Sequence, residues 1–182
     1  MTSLRVAALV LACLVAQLAV FVDVRVAGVA PELLAVVTVL VALRLGPEQG
    51  AVVGFAAGAL WDVYLPTPLG VAALAYALAG HVAGLAAVGL HDEARWQRVA
   101  LGGAGSALAV TAYALVGWIL GGTGLVGRHL FTLVPLLAVV DTLAAAVIDP
   151  VVGWAVRPPQ PRGGEGRDRR RPASWWTLRP RW

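Results

Sequence analysis

Apolar positions along the chain gather into six stretches with short polar breaks between them. A window of about 19 residues, matched to the thickness of a hydrocarbon core, separates Val6–Val22, Pro31–Leu45, Pro47–Tyr64, Leu69–Leu90, Val99–Leu120 and His129–Val156. Each is expected to form a helix. The second and third are short: the 15 residues of Pro31–Leu45 reach about 22 Å at about 1.5 Å per residue, against a core about 30 Å thick. Such helices either thin the bilayer around them or lie inside the bundle, shielded by longer neighbours.

The residues at the breaks support these divisions. Pro31-Glu32 and Pro47-Glu48 each place proline at a first helical position and a carboxylate in the first turn, facing the positive end of the helix dipole. Gly46 stands where a helix ends in a left-handed cap, so Leu45-Gly46-Pro47 reads as a tight helical hairpin. Arg157-Pro158-Pro159 closes the sixth stretch.

Composition turns this pattern into a membrane assignment. Of 182 residues, 59% are hydrophobic and 13% charged, against about 45–50% and about 25% in soluble domains. The mean hydropathy is +0.80. A soluble enzyme is excluded, because too few polar residues exist to cover its surface. The lone cysteine, Cys13, excludes a disulfide framework. Arg5, a short apolar run and Cys13 resemble a lipoprotein signal, but the run continues to Val22 as a spanning helix requires. Cys13 is expected to be a small buried apolar residue.

All 14 basic residues are arginine, and eight of them follow residue 156. The pI of about 10.2 therefore belongs to a tail and does not indicate nucleic acid. The chain divides into a membrane domain, 1–156, and an Arg/Pro/Trp-rich tail, 157–182, expected to be disordered. With the N-terminus inside and six crossings, Arg5, Arg44, Arg95, Arg98 and the tail are cytoplasmic, while Arg25 and Arg128 are outside. Twelve against two is a strong positive-inside bias, so both termini are expected to be cytoplasmic. Arg167, Arg169, Arg170 and Arg171, followed by Trp175 and Trp176, suit an anionic lipid leaflet, with the basic groups on headgroups and the indoles at the interface. A solubilising, topology-fixing tail is the alternative.

Three constellations remain. Gly46, Gly50, Gly54 and Gly58 stand four apart with Asp62 one step beyond, a side-chain-free ridge that lets another backbone approach closely. Gly80/Gly84 and Gly117/Gly121 repeat the spacing. Packing within the bundle is the expected use for most of these glycines, and contact with a partner chain is the other. Asp62 is expected near the outer interface, where its charge costs little. His81 and Asp141 each lie 12 residues into helices of the same direction, so a polar pair at a common depth of about 18 Å is possible. Otherwise each faces its own polar pocket, or Pro135 starts the sixth helix later. Metal and catalytic patterns are missing: the three histidines lie at different depths, and no HxxxH, CxxC or GxSxG occurs. Neither an enzyme nor a cofactor is expected.

Residues 31–84 carry a resemblance. The acid–leucine opening Pro31-Glu32-Leu33-Leu34, the short helical hairpin with a glycine-rich second member, Asp62 after apolar residues, and Pro68-Leu69-Gly70 opening the next helix are similar to the rod shape-determining MreD family. Six spans and a basic end agree; Trp61 and the long tail depart from it. The resemblance implies an all-α, six-transmembrane-helix bundle in the bacterial cytoplasmic membrane. It would act as a non-catalytic subunit of the cell-wall elongation machinery that binds MreC, and works with MreB, RodA and a class B penicillin-binding protein. The family also resembles the substrate-binding components of energy-coupling-factor transporters, which makes a vitamin binder the alternative function. Such a binder needs several convergent polar groups near the outer face, and the outer loops here offer few.

Overall fold

In the computed structural model, residues 2–20, 30–65, 68–89, 94–120 and 130–157 are described. They form six α-helices: α1 Thr2–Val20, α2 Leu33–Leu45, α3 Pro47–Asp62, α4 Val71–Val88, α5 Arg95–Ile119 and α6 Leu130–Val156. All six expected helices are present, with shifted ends. α5 starts four residues earlier than its apolar run, because the Gln97 side chain reaches back to accept the Ala94 N–H at 2.9 Å and satisfies one of the free donors of the first turn. The tail beyond Arg157 and the segments carrying Arg25, His91, Gly121 and Arg128 lie outside the described residues.

Four helices, α1, α4, α5 and α6, are long and apolar enough to cross a bilayer. The shortest, α2, has 13 residues, and Leu33–Leu43 are all buried. It packs against every other helix of the bundle. Of the two arrangements open to a short span, α2 takes the one inside the bundle, where the other helices cover it. α3 does not: its Val52 and Phe55 are exposed.

Outside α2, many large side chains face outward and small ones pack inward. α4 exposes Leu74, Leu78 and Leu85 while burying Ala72, Ala75, Ala79 and Gly80; α6 exposes Val139, Leu143 and Val147. In lipid there is no hydrophobic drive to bury leucine, and close backbone approach through small residues holds the helices together. Trp96 and Trp154 are exposed at one end of the bundle and Trp118 and Tyr64 at the other, as interfacial aromatic belts require.

Side-chain contacts fix the helix directions. Gln17, late in α1, meets Glu32 at the start of α2. Arg98, early in α5, meets Asp149, late in α6. Arg5, early in α1, lies over the ring of Trp154, 5.2 Å from its centroid. α1 and α2, and α5 and α6, thus run antiparallel, as do α3 and α4 through Gly58–Ala72 and Pro47–Gly84, and the start of α1 and the end of α6 share one end of the bundle.

The α2–α3 hairpin turns on Gly46, though not in the expected left-handed cap. Its φ of 90° comes with a ψ of 178°, a region open essentially to glycine alone. Its N–H still donates to Ala42 O at 2.9 Å, and its carbonyl accepts from Gly50 N at 3.0 Å, so one residue closes one helix and opens the next. α6 runs unbroken through Pro135 and Pro150. Pro150 has no N–H to give the Ala146 carbonyl one turn back; the Arg95 guanidinium donates to that oxygen instead, at 3.1 Å.

Candidate functional site

The glycine ladder is an internal seam between α3 and α4. A Cβ at Gly50 would stand 2.6 Å from the Gly80 carbonyl oxygen, and one at Gly54 would collide with the backbone of Tyr76 and Ala77. One at Gly58 would meet Ala72 and Ala73, and one at Gly84 would meet Pro47. Gly50, Gly54 and Gly58 are therefore consumed by α4 of the same chain, leaving no free ridge for a partner. Gly46 joins the seam through its backbone, which a Cβ at Gly84 would meet at 2.6 Å, while a Cβ on Gly46 itself has nothing within 4 Å. A second seam escaped the sequence reading. Gly102 and Gly103 lie against Ala145 and Thr142 of α6, and Gly105 lies against Val39 of α2. Three glycines in four positions were its visible signal.

Asp62, the last residue of α3, faces protein and not water. It is 2% exposed and serves as a remote cap for α4. Its Oδ2 accepts from Gly70 N at 2.9 Å and Ala73 N at 3.1 Å, and its Oδ1 accepts from Ala72 N at 2.9 Å. These are donors that a helix start leaves free, and a carboxylate is the acceptor best matched to them. Gly70, at φ 103°, makes the sharp turn that aims them. Pro68 lies exposed beside it.

His81 and Asp141 do not meet. His81 is exposed, while Asp141 is fully buried. α4 and α6 make no contact among the described residues, because α2 and α5 stand between them. Gly80, beside His81, packs against Gly50 and Thr38 in the middle of α2, whereas Asp141 reaches Glu32 at its start. Asp141 instead accepts the Glu32 N–H at 2.9 Å through Oδ1 and the Ser106 hydroxyl through Oδ2.

Glu32 joins a wider network. Its Oε2 accepts from Gln17 Nε2 at 2.9 Å and from the Tyr76 hydroxyl at 2.8 Å, while Gln17 Oε1 accepts the Leu34 N–H at 3.3 Å. Side chains of α1, α4, α5 and α6 thereby converge on the first turn of α2. The sequence marks Glu32 as a first-turn acid, and Gln17 is the lone polar residue of the Val6–Val22 stretch. That isolation in an apolar run was the signal for a buried partner.

The other end of α2 carries a second polar cluster. Arg44 pairs with Asp149 and also donates to Leu40 O at 3.0 Å and Asp149 O at 3.1 Å. Arg98 lies 3.4 Å and Arg95 4.0 Å from the same carboxylate. Three arginines counted as topology markers therefore converge on one buried acid, 3% exposed. Asp141 and Asp149 share α6 but serve opposite ends of α2. Both polar clusters join an end of α2 to neighbouring helices.

A family model described as rod shape-determining protein MreD matches residues 1–152. The chain belongs to the MreD family. The match spans every described helix except the last residues of α6 and agrees with several apolar helices of a multi-pass membrane protein. The family is one of shape-determining proteins. No curated protein and no solved structure matches the chain.

Proposed function

We propose that this MreD-family chain is a non-catalytic membrane subunit of the cell-wall elongation complex, holding lateral peptidoglycan synthesis to a cell shape together with MreC. The family match over residues 1–152 carries this reading. The internal use of the buried polar groups supports it: Asp62, Asp141, Asp149 and Glu32 are all spent on helix ends and interhelical bonds. The reading places the chain in the bacterial cytoplasmic membrane with both termini cytoplasmic, in line with the arginine bias. MreB, RodA and a class B penicillin-binding protein are reached through the complex. Asp62, Pro68 and Gly70 shape the α3–α4 turn, so partner contact falls to the outward faces of the helices.

Co-purification with MreC from membranes tests the scaffold. Stoichiometric recovery is expected, together with restored rod shape when the chain is supplied to cells depleted of their own MreD. Recovery without MreC, with a tightly bound vitamin, would replace the scaffold with a transport component.

A further inference from the structure

Among the described residues, His81 is the one ionisable side chain exposed near the middle of a helix. It stands 10 residues beyond Val71 in a helix of 18, about 15 Å along a length of about 27 Å. Its neighbour Gly80 packs against Gly50 and against Thr38, midway along the buried α2. The ring therefore meets hydrocarbon, where no water bonds its polar atoms. Thr111, exposed on α5, avoids that cost by donating to the Ala107 carbonyl of its own helix at 2.7 Å. His81 has no hydrogen bond or ion pair among the described residues.

The face around it suits another helix. Leu74, Leu78, His81, Leu85 and Val88 follow one another at alternating spacings of four and three residues, and all five are exposed. This is the stripe of a coiled-coil seam, with one polar group in an otherwise apolar series. α4 uses its small residues, Ala72, Gly80 and Gly84, against α3, so the stripe is left over from packing within the chain.

We propose that this stripe pairs with the same stripe of a second copy, giving a parallel α4–α4 homodimer closed by a hydrogen bond between the two His81 rings. Copies inserted in one orientation present each residue at one depth. A two-fold axis along the membrane normal then sets Leu78 on Leu78, His81 on His81 and Leu85 on Leu85. A neutral imidazole carries one N–H donor and one ring-nitrogen acceptor, so one ring donates and the other accepts. A helix of a different protein would need a polar group of its own at that depth, whereas a second copy always brings one. A single polar residue in such a seam specifies register and copy number.

Disulfide trapping in native membranes tests the pairing. Leu78→Cys and Leu85→Cys, each combined with Cys13→Ala, should form covalent dimers under mild oxidation, because facing positions bring Cα atoms within the about 4.4–6.8 Å that a disulfide spans. Val139→Cys, exposed on α6, is the control and should stay monomeric. Förster transfer between labelled full-length copies, in vesicles holding this chain alone and diluted stepwise with lipid, measures the strength. His81→Leu should weaken dimerisation about three- to tenfold, and His81→Asn, which keeps a donor and an acceptor, should recover most of that loss. Trapping at positions 78 and 85 no stronger than at 139 overturns the proposal, as does trapping to a different protein in place of a second copy. So does dimerisation that His81→Leu leaves unchanged.

Discussion

Adding one methyl group at Gly54 should unfold this bundle more readily than almost any other single-carbon change. A Cβ there would lie 2.6 Å from the Tyr76 carbonyl carbon and 2.9 Å from Ala77 N. Those atoms are backbone, so no rotamer change relieves the clash. Reaching the 3.4 Å of an ordinary contact forces α3 and α4 apart and also opens the Gly50–Gly80 and Gly58–Ala72 approaches on either side. Overpacking costs about 1–3 kcal/mol, and the rigid backbone here puts Gly54→Ala near the top of that range. The better helix propensity of alanine returns about 1 kcal/mol. The net loss is about 2 kcal/mol, a fall of about thirtyfold in the folded-to-unfolded ratio. Gly153→Ala is the control. Its Cβ would meet only Arg44 side-chain atoms, at 3.8 and 3.9 Å, so the same substitution should leave stability unchanged or raised by up to about 1 kcal/mol. Unfolding in mixed micelles with rising denaturing detergent, followed by tryptophan fluorescence, measures both. Gly54→Ala at wild-type stability, or equal losses at the two sites, would refute the seam argument.

Three further substitutions test the polar clusters by the same unfolding assay. Asp62→Ala leaves three donors at the start of α4 without their acceptor and should cost about 1–3 kcal/mol or more; a loss below 0.5 kcal/mol, on the order of a neutral surface change, would show that water replaces the carboxylate. Asp149→Ala strands Arg44 in a half-buried position and should cost about 3–5 kcal/mol, whereas Arg95→Gln, whose side chain is 65% exposed, should cost about 1 kcal/mol or less; the reverse order would place the weight of the cluster on Arg95. His81→Leu should change stability by no more than about 0.5 kcal/mol and add to Asp141→Leu without coupling; a coupling energy above about 1 kcal/mol would restore the pair that the fold separates.

Depth along each helix was legible in the sequence, because rise per residue is fixed once a helix starts. That is why Arg44, Arg95 and Arg98 fall at one end of the bundle, where they meet Asp149. The direction in which a side chain points around its helix was not legible. The usual guide, an apolar stripe facing inward, fails where lipid makes the outside apolar too. Leu78 and Leu85 of α4 point out and Ala79 and Gly80 point in, the reverse of a soluble helix. The small residues were the better guide: they marked a close helix contact on α3, and the fold supplies α4 as its other face.

Six apolar helices, a short second one, a glycine ridge on the third and an arginine asymmetry are readable from residue order alone. These depend on hydropathy, helix rise and the conformations open to glycine and proline, all local properties. Only the tertiary structure decided that α2 is the buried axis, that Asp62 caps α4, and that Glu32 and Asp149 gather polar partners at opposite ends of α2. Those outcomes depend on which helices are neighbours. A buried carboxylate in a medium without water takes whatever donors its neighbours bring within reach, and the order of residues along the chain does not say which those are.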